Sequence, residues 1–399
     1  MSPAPAPGDL LRLAEGLGDR FLADLQALVD VDCGSYTPAG VNAVVDRVAA
    51  AFAERGWTTE RIPHVAAGDE PQLGDLLIAR VRGSRTSAEG GARVLLVGHT
   101  DTVFPEGTAA ERPFRIEDGR ALGPGVSDMK GGLLAGMYGV DCLRLAGFDD
   151  FDEIVYAVNP DEEIGSPFSG PHILELARTV DAAFVLEGAR ANGDIVSARK
   201  GVADVHVVIR GRAAHAGVEP EKGRSAAVQA AHTVIGLHGL NGLWPGVTVN
   251  VGVIEGGTRP NVVMERCALQ VDLRAPTAAS FAEALAELER VAGDVVVPGV
   301  DVEVSARTSF PPMERTEGAA RLAGSAARLA AEMGFELRDA ATGGASDANP
   351  IAGIGVPVLD GLGPIGGDDH SPKEWLDVAS IAPRTALLAA LVASVERGI

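Results

Sequence analysis

Cysteine is nearly absent: Cys33, Cys142 and Cys267 are the only three in 399 residues. So sparse and odd a set makes no disulfide framework, and no two of them stand at metal-ligand spacing. They are expected to be small buried apolar residues in a reducing compartment. Positive charge is also scarce, with 34 Lys and Arg against 55 Asp and Glu and a net charge of −21. That balance excludes nucleic acid and anionic membranes as partners, since both demand a basic surface. An anionic small molecule would need a local positive site. No run approaches the roughly 18 apolar residues of a membrane helix. The stretch from Met1 to Pro7 has no basic region followed by an apolar one. It is expected to be a short disordered lead rather than a secretory signal, in a cytoplasmic protein. There is no internal repeat and no Gly-x-Ser-x-Gly elbow of a serine hydrolase.

The rest of the sequence is that of a soluble globular protein, 46% hydrophobic and 22% charged. Its length predicts two domains. Helical spacing runs from Leu10 to Arg55, and an apolar-faced helix fits Gly131 to Leu145. Between them lie short buried-strand patterns. Strands alternating with helices predict an α/β domain with a mostly parallel sheet flanked by helices. The texture changes near Ile195. A strand at Ala203–Gly211 is followed by a helix at Ser225–Leu237, strands at Val247–Ile254 and Arg266–Arg274, a helix at Phe281–Val291 and a strand at Val300–Val304. That β-α-β-β-α-β order is the ferredoxin-like motif. It predicts a small lid domain at 195–307, inserted into a catalytic domain made of 1–194 and 308–399. Helices at Ala319–Met333 and Ile381–Val395 close the chain around a short strand at Pro357.

Three buried-strand patterns run straight into ligand-type residues. Arg93–Gly98 leads to His99 and Asp101, Glu153–Val158 leads to Glu162 and Glu163, and Ala182–Leu186 leads to Glu187. Ligands of open α/β sheets bind outside the carboxyl ends of the strands, so these side chains are expected to converge. Asp101, two residues after His99, can orient its imidazole. Asp128 stands among glycines ahead of a helix, where a carboxylate caps the helix or approaches a ligand. Glu162 and Glu163 on their own read as a solvated acidic loop. A cation reverses that reading, because one carboxylate can ligate while the other moves protons. His370, in a glycine-rich loop, supplies a second nitrogen. Two histidines and three carboxylates suit two zinc ions with one carboxylate bridging, and cobalt or manganese accept the same donors. The remaining histidines His64, His172, His206, His232 and His238 read as structural or surface groups.

Gly98-His99-Thr100-Asp101-Thr102-Val103, Gly123-Pro124-Gly125 through Asp128-Met129-Lys130-Gly131-Gly132, Asp161-Glu162-Glu163-Ile164-Gly165-Ser166 and Asp369-His370-Ser371 resemble the zinc aminoacylase and carboxypeptidase family. That family includes glutamate carboxypeptidase, acetylornithine deacetylase and succinyl-diaminopimelate desuccinylase. The resemblance runs from Leu10 to Val395, with its motifs in the family's order, and is nearest to the glutamate carboxypeptidase branch. It implies that His99, Asp128 and Glu187 hold one metal and Asp128, Glu163 and His370 the other. It makes Glu162 the general base and Asp101 the partner of His99, with a cis peptide at Asp128-Met129. In the lid, His215 resembles a histidine that reaches a neighbouring subunit's site. Asn261 matches a lid asparagine, Arg274 a substrate-carboxylate clamp, and Gly344 part of a loop lining the substrate site. The implied activity is di-zinc hydrolysis of a small N-acyl amino acid or dipeptide-like amide with a free carboxylate, in a homodimer formed through the lid. The rival expectations are an N-deacylase or desuccinylase, a ureido-amide hydrolase, and a pocket-binding protein without catalysis.

Overall fold

A computed structural model describes residues 4–397. Part of the expected lead, residues 1–3, lies outside the described residues. Its other end is not a disordered lead, because Pro7 already opens the helix Pro7–Gly16. Proline is suited to the first helical turn, where its missing N–H has no partner to lose.

The described chain forms two compact units. One is Ala198–Glu314 together with Thr342–Ala345, and the other is the rest. The larger unit holds a six-stranded sheet in the order Thr58–Ile62, Leu76–Arg82, Glu153–Asn159, Arg93–His99, Ala182–Val185, Val358–Leu359. The last four strands run parallel, and Leu76–Arg82 is antiparallel to both of its neighbours. Every residue of Glu153–Asn159 is buried, as is all of Arg93–His99 after Arg93. That explains their continuous apolar runs: a strand covered on both faces has no solvent side to mark by alternation. The helices Pro7–Gly16, Gly131–Leu145 and Ile381–Ala393 supply much of the same core.

The smaller unit is an antiparallel sheet in the order Thr248–Gly256, Arg266–Ala275, Gly201–Arg210, Asp301–Phe310, with helices Ala226–His238 and Ala278–Ala292. Ala203, Val205, Val207 and Ile209 point into its own core, while Asp204, His206 and Arg210 are exposed. The sheet is therefore one-sided, and its strands alternate. The final strand is longer than the Val300–Val304 expected. Asp301–Phe310 is an edge strand pairing with Gly201–Arg210 alone. Its second half is largely exposed, so polar residues hide it from a hydrophobic pattern. The three cysteines are buried and unpaired. Among the described residues, no helix is long and apolar enough to cross a membrane.

Candidate metal centre

His99 is the last residue of its strand, paired in register with Asn159, the last residue of the neighbouring one. Parallel strands in register deliver their exit loops to one place. The Nδ1 of His99 lies 3.0 Å from the Asp101 carbonyl and 3.4 Å from its carboxylate. Asp101 does more than orient that ring. Its carboxylate accepts the Ser35 hydroxyl at 2.7 Å and the backbone N–H groups of Glu162 and Glu163 at 3.1 and 3.2 Å. One buried side chain thus fixes the histidine and the turn carrying both glutamates.

The Asp128 carboxylate stands between two imidazoles. Nε2 of His99 is 3.0 Å from its Oδ1, and Nε2 of His370 is 3.0 Å from its Oδ2. His99 is also 3.7 Å from Glu187, and His370 is 3.1 Å from Glu163. Donor atoms sharing one tetrahedral zinc at about 2.0–2.1 Å lie about 3.3 Å apart, so both sets have the spacing a cation needs. The donor atoms of His99, Asp128 and Glu163 fall within 4.8 Å of one another, as do those of His99, Glu162 and Glu187. The donor chemistry points the same way. Four carboxylates crowd here, and burial pushes Glu162 and Glu163 up, with Glu187 and Asp128 adding like charge. Burial alone would depress His99, yet hydrogen bonds to Asp101 and Asp128 and the charge of Glu187 raise it well above its usual value. Hydrogen bonds to Asp128 and Glu163 carry His370 to about 11. A proton on either ring and a cation compete for the same lone pairs, so the cluster is a candidate cation site by composition as well as spacing.

Backbone packing holds these groups. Asp128 does not cap the helix Gly131–Leu145; Lys130 occupies the cap position without a side-chain capping bond, its ammonium donating instead to the Val31 and Pro124 carbonyls. Asp128 sits instead in an irregular turn, Val126–Lys130, with a cis peptide to Met129. Gly132 lies so close to the Leu186 carbonyl that a Cβ would stand 1.7 Å from it. Only glycine lets that helix meet the strand end carrying Glu187. His370 adopts φ of 60°, uncommon for a non-glycine residue and found chiefly where surroundings impose it.

Two residues not singled out in the sequence support the site. Glu374 is buried, and its carboxylate accepts the N–H groups of Gly125, Ser127 and Asp128 at 2.9, 2.9 and 3.0 Å. Arg384, also buried, donates to the carbonyls of Gly361, Gly363 and Gly193. It thereby secures the segment whose Gly363 N–H bonds the Glu187 carbonyl. No local pattern marks either one, since their partners lie far away in sequence. Asp347 lies in the loop that follows Gly344. It is buried, binds Asn159 and Ser166, and burial lifts it to about 6.

The remaining expected residues belong to the smaller unit. His215 and Asn261 are exposed neighbours: His215 bridges to Val262, and the Ala216 N–H donates to the Asn261 carbonyl. Nδ1 of His215 accepts the Gly217 N–H at 3.2 Å. Arg274 is half-buried, bonded to the Asp272 carboxylate at 3.0 Å and to the Gly343 carbonyl at 2.8 Å. Arg199 is buried and donates to the Gly344 carbonyl at 3.0 Å. These two bonds explain why the glycine segment 342–345 groups with the smaller unit rather than with the chain around it. His64 and His172 both pack edge-on against Phe168, an ordinary structural role.

Comparison with known proteins agrees with this architecture. The chain is 30% identical to carboxypeptidase G2 of a Pseudomonas species over 377 residues, covering 94% of this chain and 89% of that protein. Its fold matches the aminopeptidase PepT of Bacillus cereus with a TM-score of 0.76 at 24% identity, over 94% of this chain and 98% of the other. It also matches a dinuclear metal-binding peptidase of Bacillus subtilis with a TM-score of 0.69 at 16% identity, over 95% and 98% of the two chains. A sequence profile described as Peptidase family M20/M25/M40 matches residues 95–394, which span the strand bearing His99, the Asp128 turn, the glutamate pair and His370. The chain therefore belongs to peptidase family M20/M25/M40 and is a hydrolase of peptide or amide bonds.

Proposed function

We propose that the protein hydrolyses a small N-acyl amino acid or dipeptide-like amide bearing a free carboxylate, using two divalent cations. The observation that carries this reading is the Asp128 carboxylate, which offers one oxygen to the side of His99 and the other to the side of His370, each at 3.0 Å. His99 and Glu187 would hold one cation and Glu163 and His370 the other, with Asp128 shared. When bound, zinc would supply Lewis-acid polarisation of the scissile carbonyl and acidify the attacking water. The dinuclear metal-binding peptidase among the fold relatives supports the count of two.

Glu162 takes part in none of the imidazole contacts, yet its carboxylate lies within 4.8 Å of the His99 and Glu187 donor atoms. That leaves it to accept a proton from the attacking water and deliver it to the leaving nitrogen as the C–N bond breaks. The products are a carboxylate and an amine. Arg274 is the proposed grip on the substrate carboxylate, with Gly344 in the neighbouring loop. His215 and Asn261 are proposed to complete the site of a second copy, in a homodimer formed through the smaller unit.

The test is direct. Purified protein is assayed for metal, then offered N-acyl amino acids and dipeptides with released amine as readout. About two divalent ions per chain and chelator-sensitive turnover are expected. Full activity in a metal-free sample would overturn the reading, and metal binding without turnover on any amide would favour a pocket-binding protein.

A further inference from the structure

The turn that carries Glu162 and Glu163 is flanked by Asn159 and Ser166, and one distant carboxylate joins the two. Asn159 Nδ2 donates to Asp347 Oδ2 at 2.6 Å, and the Ser166 hydroxyl donates to Asp347 Oδ1 at 2.6 Å. Asn159 Nδ2 also donates to the Ser166 oxygen at 2.9 Å, which closes a ring of three side chains across the mouth of the turn. All three residues are buried. We propose that Asp347 is the positioning residue of Glu162, clamping the turn so that the base faces the reacting centre. The proposal rests on the reading of Glu162 as the base given above.

Its grounds are three. First, Asp347 forgoes the local role its position offers. It stands at the amino-terminal cap of the helix Ala348–Gly353, where an aspartate ordinarily accepts an N–H of its own helix. It makes no such bond, and the Ser346 hydroxyl accepts the Ala348 N–H instead, at 3.1 Å. The carboxylate is turned to Asn159 and Ser166. Second, the clamp needs an acid. Both partners donate, and a carboxylate presents an accepting oxygen to each, whereas an amide would set an NH2 group against one of them. The ring also reaches the start of the turn, because Asn159 Oδ1 accepts the Asp161 N–H at 2.9 Å and the Ser169 hydroxyl at 2.8 Å. Third, Glu162 depends on its backbone more than Glu163 does. Glu163 lies 3.1 Å from His370, with which it is proposed to share a cation, so bound metal would hold its side chain. The Glu162 carboxylate has no corresponding ring partner, and its place rests on the turn. Asp101 fixes that turn from within, through the Glu162 and Glu163 N–H groups. Asp347 closes it from its two ends, and neither of its partners is a proposed metal ligand.

The experiment compares metal-loaded Asp347→Ala, Asp347→Asn and Ser166→Ala with the parent enzyme on an amide that the parent hydrolyses. A base misplaced by about 1 Å costs about 10²-fold in rate. Asp347→Ala should therefore lose about 10²-fold in kcat, with KM and metal content changed by less than about threefold. Asp347→Asn and Ser166→Ala each spare part of the ring and should lose about tenfold. They supply the comparison if Asp347→Ala does not fold. Each substitution is then repeated in Glu162→Gln. A residue that acts through Glu162 has nothing left to position there, so the residual turnover should fall by no more than about twofold. A full second loss on top of Glu162→Gln would overturn the proposal, as would an unchanged kcat or a loss confined to KM or metal content. Hydrogen exchange read by mass spectrometry needs no turnover. In Asp347→Asn the segment 160–169 should exchange at least about tenfold faster, while the strand 93–99 keeps its parent rate. Unchanged exchange in 160–169, or equal acceleration in both segments, would overturn the clamp. If the parent hydrolyses no amide, the reading of Glu162 as a base falls, and the exchange result alone upholds or overturns the clamp.

Discussion

His99 and His215 show how differently the two units treat the same side chain. His99 is 1% exposed, ends a buried strand and is held from both ring nitrogens by Asp101 and Asp128. His215 is exposed on a loop, and its Nδ1 accepts a neighbouring backbone N–H. The contrast extends to their companions. Four proposed ligands of the larger unit, His99, Asp128, Glu163 and Glu187, lie at strand ends or in turns held by buried polar groups, and only the fifth, His370, stands in an exposed turn. The candidate binding residues of the smaller unit lie on loops or at the end of a strand. Chemistry that needs atoms placed to fractions of an ångström belongs on a braced scaffold. Recognition of varied substrates tolerates, and uses, exposed loops.

The strongest way to break that comparison is to remove its central carboxylate. Asp128→Ala should lose most bound metal and at least about 10⁴-fold in kcat, read by metal analysis and amine release. Near-normal metal content would show that Asp128 bridges nothing. Next, the adjacent glutamates should separate. Glu162→Gln should keep its metal and lose about 10²- to 10⁴-fold in kcat, whereas Glu163→Gln should lose metal. Exchanged phenotypes would reverse the two assignments. The bracing can be tested without touching a ligand side chain. Glu374→Gln replaces one of two oxygens that accept three backbone N–H groups, and should weaken metal binding by about 10- to 100-fold in a chelator competition. Unaltered affinity would mean the Asp128 turn holds itself.

In the smaller unit the expected losses depend on the substrate. Arg274→Ala should lower kcat/KM about 10- to 100-fold for substrates with a free α-carboxylate and far less for their amides, with metal content unchanged. Equal losses would assign Arg274 to its bond with the Gly343 carbonyl. His215→Ala should alter stability by no more than about 0.5 kcal/mol, since the residue is exposed. Mixed with Glu162→Gln chains, it should recover part of the activity, because one mixed-dimer site would have both groups intact. Proven mixed dimers without recovery would confine His215 to its own chain.

Much of the site's geometry was legible because ligand-type residues follow buried strands, and parallel strands in register bring their exits together. His99 aligned with Asn159 is the clearest case. The helix Gly131–Leu145 was legible at both ends from its glycines and apolar face. The ferredoxin-like order was legible because a one-sided sheet alternates. The second half of Asp301–Phe310 was not, because an edge strand facing water has no apolar period. Pro7 read as part of a disordered lead, but it begins a helix.

The sequence by itself determined most of the buried strands and helices and which side chains stand at their ends, because those depend on neighbours along the chain. Only the tertiary structure decided what braces them. Glu374 holds a turn some 246 residues away, Arg384 holds the segment behind Glu187, and Arg199 and Arg274 grip the glycine segment at 343–344. A backbone carbonyl or N–H has the same chemistry at every residue, so no local pattern reveals which distant side chain will satisfy it.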